Sequence, residues 1–141
     1  MKSIIQHLRF PFSFLLMPAF WFSFYWVDFS TFKPFVLGLL FFIIHFLVYP
    51  ASNAYNSTQD RDEGSVGLIK NPLPIHSKLL FVTYVFDLLA VILALLINVQ
   101  TAILITIYII ASRLYSYRKI RLKQYPIIGF LTVFICQGAL L

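Results

Sequence analysis

The sequence predicts an all-α membrane protein, a multi-span bundle of about five transmembrane helices. Of its 141 residues, 60% are hydrophobic and only 11% are charged, whereas soluble domains are about half apolar and about a quarter charged. The apolar residues fall into five runs separated by short polar connections. We therefore expect a single transmembrane domain over residues 1–141, multi-pass and integral to the cell (inner) membrane.

The five runs are residues 10–27, 35–57, 79–97, 101–117 and 126–141. A membrane-spanning helix needs about 20 residues, which the first four runs approach or reach. The first run carries two prolines, and the second carries Pro50, which removes a backbone hydrogen bond and can open the helix locally. The fifth run is still apolar at residue 141, so we expect the chain to be a truncated part of a larger bundle.

The basic residues predict the orientation of the bundle. With a cytoplasmic N-terminus, ten of the eleven Lys and Arg residues fall on the inner side and only Lys33 falls outside, as the positive-inside rule requires. The loops at residues 60–78 and 118–125 are then both cytoplasmic. Because topology explains the net charge of +6, we exclude nucleic acid as a partner and expect membrane lipid instead.

A polar stripe runs along the second segment towards this cytoplasmic side. Its members are His45, Tyr49, Asn53, Asn56 and Asp60, spaced by 4, 4, 3 and 4 residues. Such steps place all five side chains on one face of a helix. Amides alone are as typical of a helix–helix contact as of a ligand site.

The stripe runs into three of the chain's five carboxylates, Asp60, Asp62 and Glu63. Carboxylates at a membrane edge are costly unless they hold a cation, and Mg²⁺ usually takes one or two carboxylates together with substrate phosphates. The patch therefore predicts a pocket, open to the cytoplasm, for Mg²⁺ carrying a diphosphate.

A basic segment follows the fourth run. Arg113, Tyr117 and Arg121 are spaced four residues apart, as are Lys119 and Lys123. Topology alone can explain charges such as Lys119. Cations that project from this helix end towards the acidic loop would clamp a diphosphate and stabilise it as a leaving group. Arg113 and Tyr117 are therefore candidate diphosphate-binding residues together with Arg121 and Lys123.

Four motifs follow one another along the chain. They are Leu8-Arg9-Phe10-Pro11 with Met17-Pro18, Asn53-x-x-Asn56-x-x-x-Asp60-Arg-Asp62-Glu63-Gly64-Ser65-x-Gly67, Asn71-Pro72-Leu-Pro74, and Tyr115-Ser116-x-x-x-Ile-Arg121-Leu-Lys123. In this order they resemble the amino-terminal half of the UbiA-type intramembrane prenyltransferase superfamily. The resemblance implies half of a larger helical bundle built around a central cavity.

The resemblance also implies an activity. The chain would be an integral-membrane prenyltransferase, or its amino-terminal half, that binds a polyprenyl diphosphate through Mg²⁺ and transfers the prenyl group to an aromatic or other lipophilic acceptor. The residues implied to hold Mg²⁺ and the diphosphate are Asn53, Asn56, Asp60, Asp62, Arg121 and Lys123. The family spacing is Asn-x-x-x-Asp-x-x-x-Asp; Asn56 and Asp60 fit it, but Gly64 stands at the third position, so the identity of a second metal-binding carboxylate stays open. No catalytic acid or base is assigned.

Two other functions stay open. The chain could be a non-catalytic membrane module that keeps the diphosphate-binding loop and needs a second chain or a second copy to complete its cavity. It could also be a small transporter that uses His45, Asp60 and Asp87 as an ion path. Asp87 lies near the centre of the third run. It is a cavity-lining acid, or one of a pair with Arg113 or His45, or else a protonated or hydrogen-bonded acid at a helix contact.

Overall fold

The computed structural model describes residues 1–25, 33–60, 65 and 68–137, and over these residues every regular element is helical. This confirms the predicted all-α fold class. The α-helices are α1 (Lys2–Leu8), α2 (Phe10–Phe14), α3 (Met17–Phe24), α4 (Pro34–Phe42), α5 (Tyr49–Asp60), α6 (Leu79–Leu95), α7 (Val99–Ser116) and α8 (Pro126–Ile135). A π-helical segment, Ile43–Val48, joins α4 to α5, and a 3₁₀ turn, Leu122–Gln124, precedes α8.

Two continuous helices in the described part of the chain are long and apolar enough to cross a membrane. They are Pro34–Asp60 and Val99–Ser116, and the helices Leu79–Leu95 and Pro126–Ile135 are apolar but shorter. The predicted count of about five spans, and the assignment of residues 1–141 to half of a larger bundle, stay predictions.

The first predicted run, residues 10–27, is not one continuous helix over its described part. It is divided into α2 and α3 at Leu15 and Leu16, and Pro11 and Pro18 each lie in the first turn of a helix. Proline is favoured there because the first turn needs no N–H donor, whereas inside a helix it removes a hydrogen bond. Each proline therefore begins a new helix where a single span was expected.

The winding of the long second helix changes just before Pro50. Residues Ile43–Val48 are π-helical, and the Tyr49 N–H donates to the Ile44 carbonyl, five residues back. The proline ring would crowd the carbonyl oxygen four residues earlier in a regular α-helix, and a wider turn relieves that clash. At this proline the helix therefore changes its winding without a break, and it continues to Asp60.

Helices α5, α6 and α7 pack against one another and form the centre of the described fold. Ala51 and Ala54 of α5 and Ala90 and Ala94 of α6 are fully buried. Small residues let helix backbones approach closely, which is how membrane helices gain packing energy. This packing brings the C-terminal end of α5 beside the C-terminal end of α7, where the candidate site lies.

Helix α1 forms hydrogen bonds to the loop that follows the acidic segment. Ser3 Oγ donates to the Pro74 carbonyl at 2.6 Å, and Gln6 Oε1 accepts from the Leu73 N–H at 2.8 Å. The ring of His7 makes a 2.8 Å hydrogen bond to the Leu73 carbonyl. Because α1 also packs on α5, the loop is tied to the same end of the bundle as Asp60.

Candidate diphosphate site

Asp60, the last residue of α5, lies between two cations. Arg121 Nη2 donates to Asp60 Oδ1 at 3.2 Å, and Lys123 Nζ donates to Asp60 Oδ2. The carboxylate side chain is only 7% exposed. A carboxylate at a helix C-terminus faces the negative end of the helix dipole. The two basic side chains therefore supply the stabilisation that the helix end does not.

Asn56 lies one turn earlier on α5 and extends this arrangement. Its Oδ1 accepts from Lys123 Nζ at 2.9 Å and from Ser116 Oγ at 2.8 Å. Lys123 thus bridges an amide oxygen and a carboxylate oxygen. We refer to Asn56, Asp60, Arg121 and Lys123 as the Asp60 cluster.

The turn after α7 places the two cations on one carboxylate. Arg121 adopts a left-handed backbone conformation with φ 45°, which is uncommon for a residue other than glycine. Its N–H donates to the Tyr117 carbonyl at 2.6 Å. Arg121 and Lys123 are separated by one residue, and this sharp turn lets both side chains reach Asp60.

Helix α8 begins directly against this turn. A Cβ atom added at Gly129 would lie 3.3 Å from Lys123 Cα and 3.5 Å from the Leu122 carbonyl oxygen. The absence of a side chain at Gly129 therefore permits the close approach of α8, which supports the backbone that carries Lys123.

Arg118 covers the rest of the α5 C-terminus. Its Nε donates to the Gln59 carbonyl, and its backbone N–H donates to Gln59 Oε1 at 3.4 Å. A cation at this position satisfies an unpaired helix carbonyl and complements the helix dipole. The contact holds the turn after α7 against α5.

A cavity of about 160 Å³ lies beside the Asp60 cluster, between α5, α7 and α8. The cavity is lined by Ser52, Asn53, Asn56, Tyr108, Ser112, Tyr115, Ser116, Thr132, Val133, Cys136 and Gln137. Most of these side chains carry a hydroxyl or an amide. Asn53 Nδ2 is buried and has no hydrogen-bond partner among the described residues, so it offers a donor to a ligand.

A larger cleft of about 780 Å³ lies on the other side of the α5 end, between the loop after residue 70 and helix α1. It contains Gln59 and Arg118 but no residue of the Asp60 cluster. We place the candidate site at the smaller cavity because Asn56, a member of the cluster, lines it together with Asn53, whose buried Nδ2 faces no partner among the described residues.

The structure brings together five of the residues that the sequence singled out. Asn53 and Asn56 line the cavity, while Asp60, Arg121 and Lys123 meet beside it. Their roles in binding stay predictions. Asp62 lies outside the described residues.

Arg113 points elsewhere. Its Nε donates to Asp87 Oδ2 at 3.2 Å and its Nη2 donates to the same oxygen. Nη1 lies 3.4 Å from the Ala51 carbonyl oxygen, and the guanidinium carbon lies 4.4 Å from the centre of the Tyr55 ring. Arg113 is thus engaged between α5, α6 and α7, and Asp87 has one of the two partners that the sequence proposed for it.

Two other residues of the sequence patterns also lie apart from the cluster. Tyr117 contributes its carbonyl, which accepts N–H groups from Ile120 and Arg121 and so shapes the turn. His45 is fully buried, and its Nδ1 lies 3.0 Å from the Ser13 carbonyl oxygen. It therefore belongs to the helix packing rather than to the cavity.

The sequence patterns assigned no binding role to the polar wall that α7 contributes to the cavity, although two of its members, Tyr115 and Ser116, stand in one of the four motifs. Tyr108, Ser112, Tyr115 and Ser116 all line it. They recur at spacings of three or four residues in a mostly apolar helix, which places them on one face. This periodicity, the same signal that identified the stripe on α5, could have identified them.

The side-chain oxygens of Asn56 and Asp60 are of the kind that bind a hard divalent cation. The Lys123 ammonium lies between Asn56 Oδ1 and Asp60 Oδ2, so two oxygens already converge on one positive charge. Carboxylate and amide oxygens are the ligands that Mg²⁺ and Ca²⁺ take. Asp60 is the one carboxylate of this donor set in the described residues, where no group of three His, Cys, Asp or Glu side chains occurs.

Comparison with known proteins gave one match. A family model described as the UbiA prenyltransferase family matches residues 15–141. Comparison with curated proteins and with solved structures gave no match. The matched region runs from the turn before α3 to the end of the chain and so includes every residue of the Asp60 cluster and of the cavity wall.

Proposed function

We propose that this chain, which belongs to the UbiA prenyltransferase family, binds the diphosphate of a polyprenyl diphosphate at the Asp60 cluster and takes part in prenyl transfer. Family membership and the two long apolar helices make it a prenyltransferase-like membrane protein. One observation carries the proposal: two cations, a carboxylate and an amide oxygen converge beside a polar cavity.

The charges of the cluster suit a diphosphate. Arg121 offers a planar guanidinium that can donate two parallel hydrogen bonds to phosphate oxygens, and Lys123 offers a compact ammonium. In the free protein both cations contact Asp60. A bound diphosphate would supply the negative charge in place of this carboxylate, so the same two side chains would exchange one anion for another.

Asp60 and Asn56 are the residues that would hold Mg²⁺, with Asp62 as a further candidate. Bound Mg²⁺ neutralises phosphate charge and so makes the diphosphate a better leaving group. Arg121 and Lys123 would stabilise the charge that develops on the diphosphate as the allylic C–O bond breaks. The prenyl carbon then forms its new bond to a lipophilic, aromatic acceptor, which loses a proton.

The polar lining of the cavity also supports the proposed binding of the diphosphate here. Its hydroxyl and amide groups suit the polar end of a ligand, whereas an isoprenoid tail needs an apolar surface. We place this end of the bundle on the cytoplasmic side, because Arg118, Lys119, Arg121 and Lys123 all lie in the turn beside it.

The test is the binding of labelled geranylgeranyl diphosphate to the purified chain in detergent, with Mg²⁺ and then with EDTA. We expect binding with Mg²⁺ and its loss with EDTA. Asp60→Ala should weaken Mg²⁺-dependent binding about 100-fold, or about 2.7 kcal/mol, because it removes the carboxylate proposed to hold Mg²⁺, while membrane insertion stays intact.

A matched pair of lysine variants serves as the control. Lys123→Ala removes a cation of the Asp60 cluster, whereas Lys119→Ala removes an exposed cation from the same turn. Binding should fall only in the first. If Asp60→Ala binds like the parent chain, or if both lysine variants lose binding equally, the assignment of the site is wrong. Release of inorganic diphosphate in the presence of a lipophilic phenol would separate transfer from binding alone.

A further inference from the structure

The Lys123 ammonium lies between two oxygens that would suit a divalent cation. It donates to Asn56 Oδ1 at 2.9 Å and to Asp60 Oδ2, the two oxygens that best suit a divalent cation in this cluster. The side chain of Lys123 is 19% exposed and that of Asp60 is 7% exposed. In the free protein, these oxygens are therefore covered by a positive charge that belongs to the chain itself.

Arg121 does not cover the oxygens in the same way. It contacts only Asp60 Oδ1 within the cluster, at 3.2 Å, and its side chain is 46% exposed. Arg121 neutralises the carboxylate from the solvent side, while Lys123 lies between the carboxylate and the amide. The two cations have the same charge and different positions, which makes them a matched pair for an experiment.

A free divalent cation entering this position would meet the lysine ammonium at short range. Two cations in one partly buried site repel each other strongly, because solvent screens them less than at the surface. A diphosphate changes this balance, since its oxygens can accept the ammonium and draw it away from Asn56 and Asp60. The lysine stem is flexible and its ammonium is not confined to one geometry, so such a move needs no change in the helices.

We propose that Lys123 keeps free divalent cations out of the Asn56–Asp60 position and releases that position only when a diphosphate binds. The metal and the diphosphate then bind as partners, each raising the affinity for the other by the same factor. This inference rests on the proposed function, because it assumes that the Asp60 cluster is where the diphosphate binds. It assigns to Lys123 a second role, selection of the metal–diphosphate pair over the metal alone.

The experiment measures metal binding without turnover. Mn²⁺ replaces Mg²⁺ because its binding to the purified chain in detergent can be followed by electron paramagnetic resonance, first alone and then with inorganic diphosphate. The parent chain should bind Mn²⁺ weakly alone and more tightly with diphosphate. Lys123→Met should bind Mn²⁺ alone about tenfold more tightly, which corresponds to about 1.4 kcal/mol, and should gain less from diphosphate.

Arg121→Met is the control, because it removes the same charge from the same carboxylate without vacating the bridging position. Its affinity for Mn²⁺ alone should rise less than about threefold, a change of about 0.7 kcal/mol. The double variant Lys123→Met with Asp60→Asn should lose the gain, which would assign the new binding to Asp60. Lys123→Gln provides a second test with the same expectation, and thermal unfolding checks that each variant is folded.

Two results would overturn the inference. The first is an unchanged Mn²⁺ affinity in both Lys123 variants while the parent chain still binds labelled geranylgeranyl diphosphate with Mg²⁺. The second is an equal rise in Lys123→Met and Arg121→Met, since charge alone would then explain the effect. If the parent chain shows no Mg²⁺-dependent binding of diphosphate, the proposed function fails first and this inference fails with it.

Discussion

Two carboxylates in the described part of the chain are paired with cations, and the pairs differ in the other contacts that the cation makes. Asp60 ends α5 and meets Lys123 and Arg121, and the Arg121 side chain is 46% exposed. Asp87 lies at the centre of α6 and meets Arg113, and these two side chains are 13% and 14% exposed. A covered carboxylate therefore occurs in both places, but only the first has a partner with ready access to water.

The additional contacts of Arg113 make the Asp87–Arg113 pair a structural connection between helices. Its guanidinium also lies beside the Ala51 carbonyl and over the Tyr55 ring, so one side chain connects α5, α6 and α7. An ionised group in such a buried place is costly unless it is paired. Arg113 Nε and Nη2 both pair with Asp87 Oδ2, while Oδ1 has no hydrogen-bond partner among the described residues. A carboxylate–cation pair is thus structural at Asp87 and exchangeable at Asp60. The other contacts and the exposure of the cation account for the difference.

The largest effect on stability is expected when the Asp87–Arg113 pair is broken. Asp87→Ala leaves the Arg113 guanidinium covered and without its carboxylate, which lowers the free energy of unfolding by about 3–5 kcal/mol. Thermal unfolding in detergent, followed by circular dichroism, measures the loss. The double variant Asp87→Leu with Arg113→Leu should recover part of it, because no unpaired charge remains. If Asp87→Ala melts at the same temperature as the parent chain, the pair does not stabilise the fold and the prediction is wrong.

A much smaller change in stability is expected at Asp60. Asp60→Asn keeps the shape of the side chain, Lys123 keeps its hydrogen bond to Asn56, and Arg121 is 46% exposed and can turn to water. The free energy of unfolding should therefore change by about 1 kcal/mol or less. The loss is also limited because a carboxylate is unfavourable at a helix C-terminus. The same unfolding assay provides the comparison with Asp87→Ala. A loss of similar size in the two variants would mean that both pairs are structural.

The smallest effect is expected at Gly129, which contacts the cluster only through the backbone. A methyl group there would lie 3.3 Å from Lys123 Cα, so the turn must shift by a few tenths of an ångström. Gly129→Ala should weaken Mg²⁺-dependent diphosphate binding about threefold, or about 0.7 kcal/mol. Gly38→Ala is the control, since nothing lies within 4 Å of its added methyl group. Equal affinities in the two variants would show that the position of Lys123 does not depend on this approach.

Much of the fold and of the candidate site is readable from the sequence alone. Composition determines that the chain is helical and apolar, and helical spacing places Asn53, Asn56 and Asp60 on one face of α5. The basic residues predict that the end of α5 and the turn after α7 lie on the same side of the membrane. In the structure these two segments meet, and Arg121 and Lys123 contact Asp60. The helical fold class is confirmed because it depends on composition and local periodicity, which are properties of the linear chain, whereas the side of the membrane stays a prediction.

The partners of individual side chains were decided only by the tertiary structure. Spacing assigned Arg113 to the same group as Arg121, yet Arg113 contacts Asp87, because the facing helix α6 offers it a carboxylate across the bundle. Lys123 reaches Asn56 through the left-handed turn at Arg121, a conformation that no glycine marks in the sequence. A helical repeat determines which face a side chain occupies, but the neighbour it meets depends on how separate helices pack, and that information is not local to any segment.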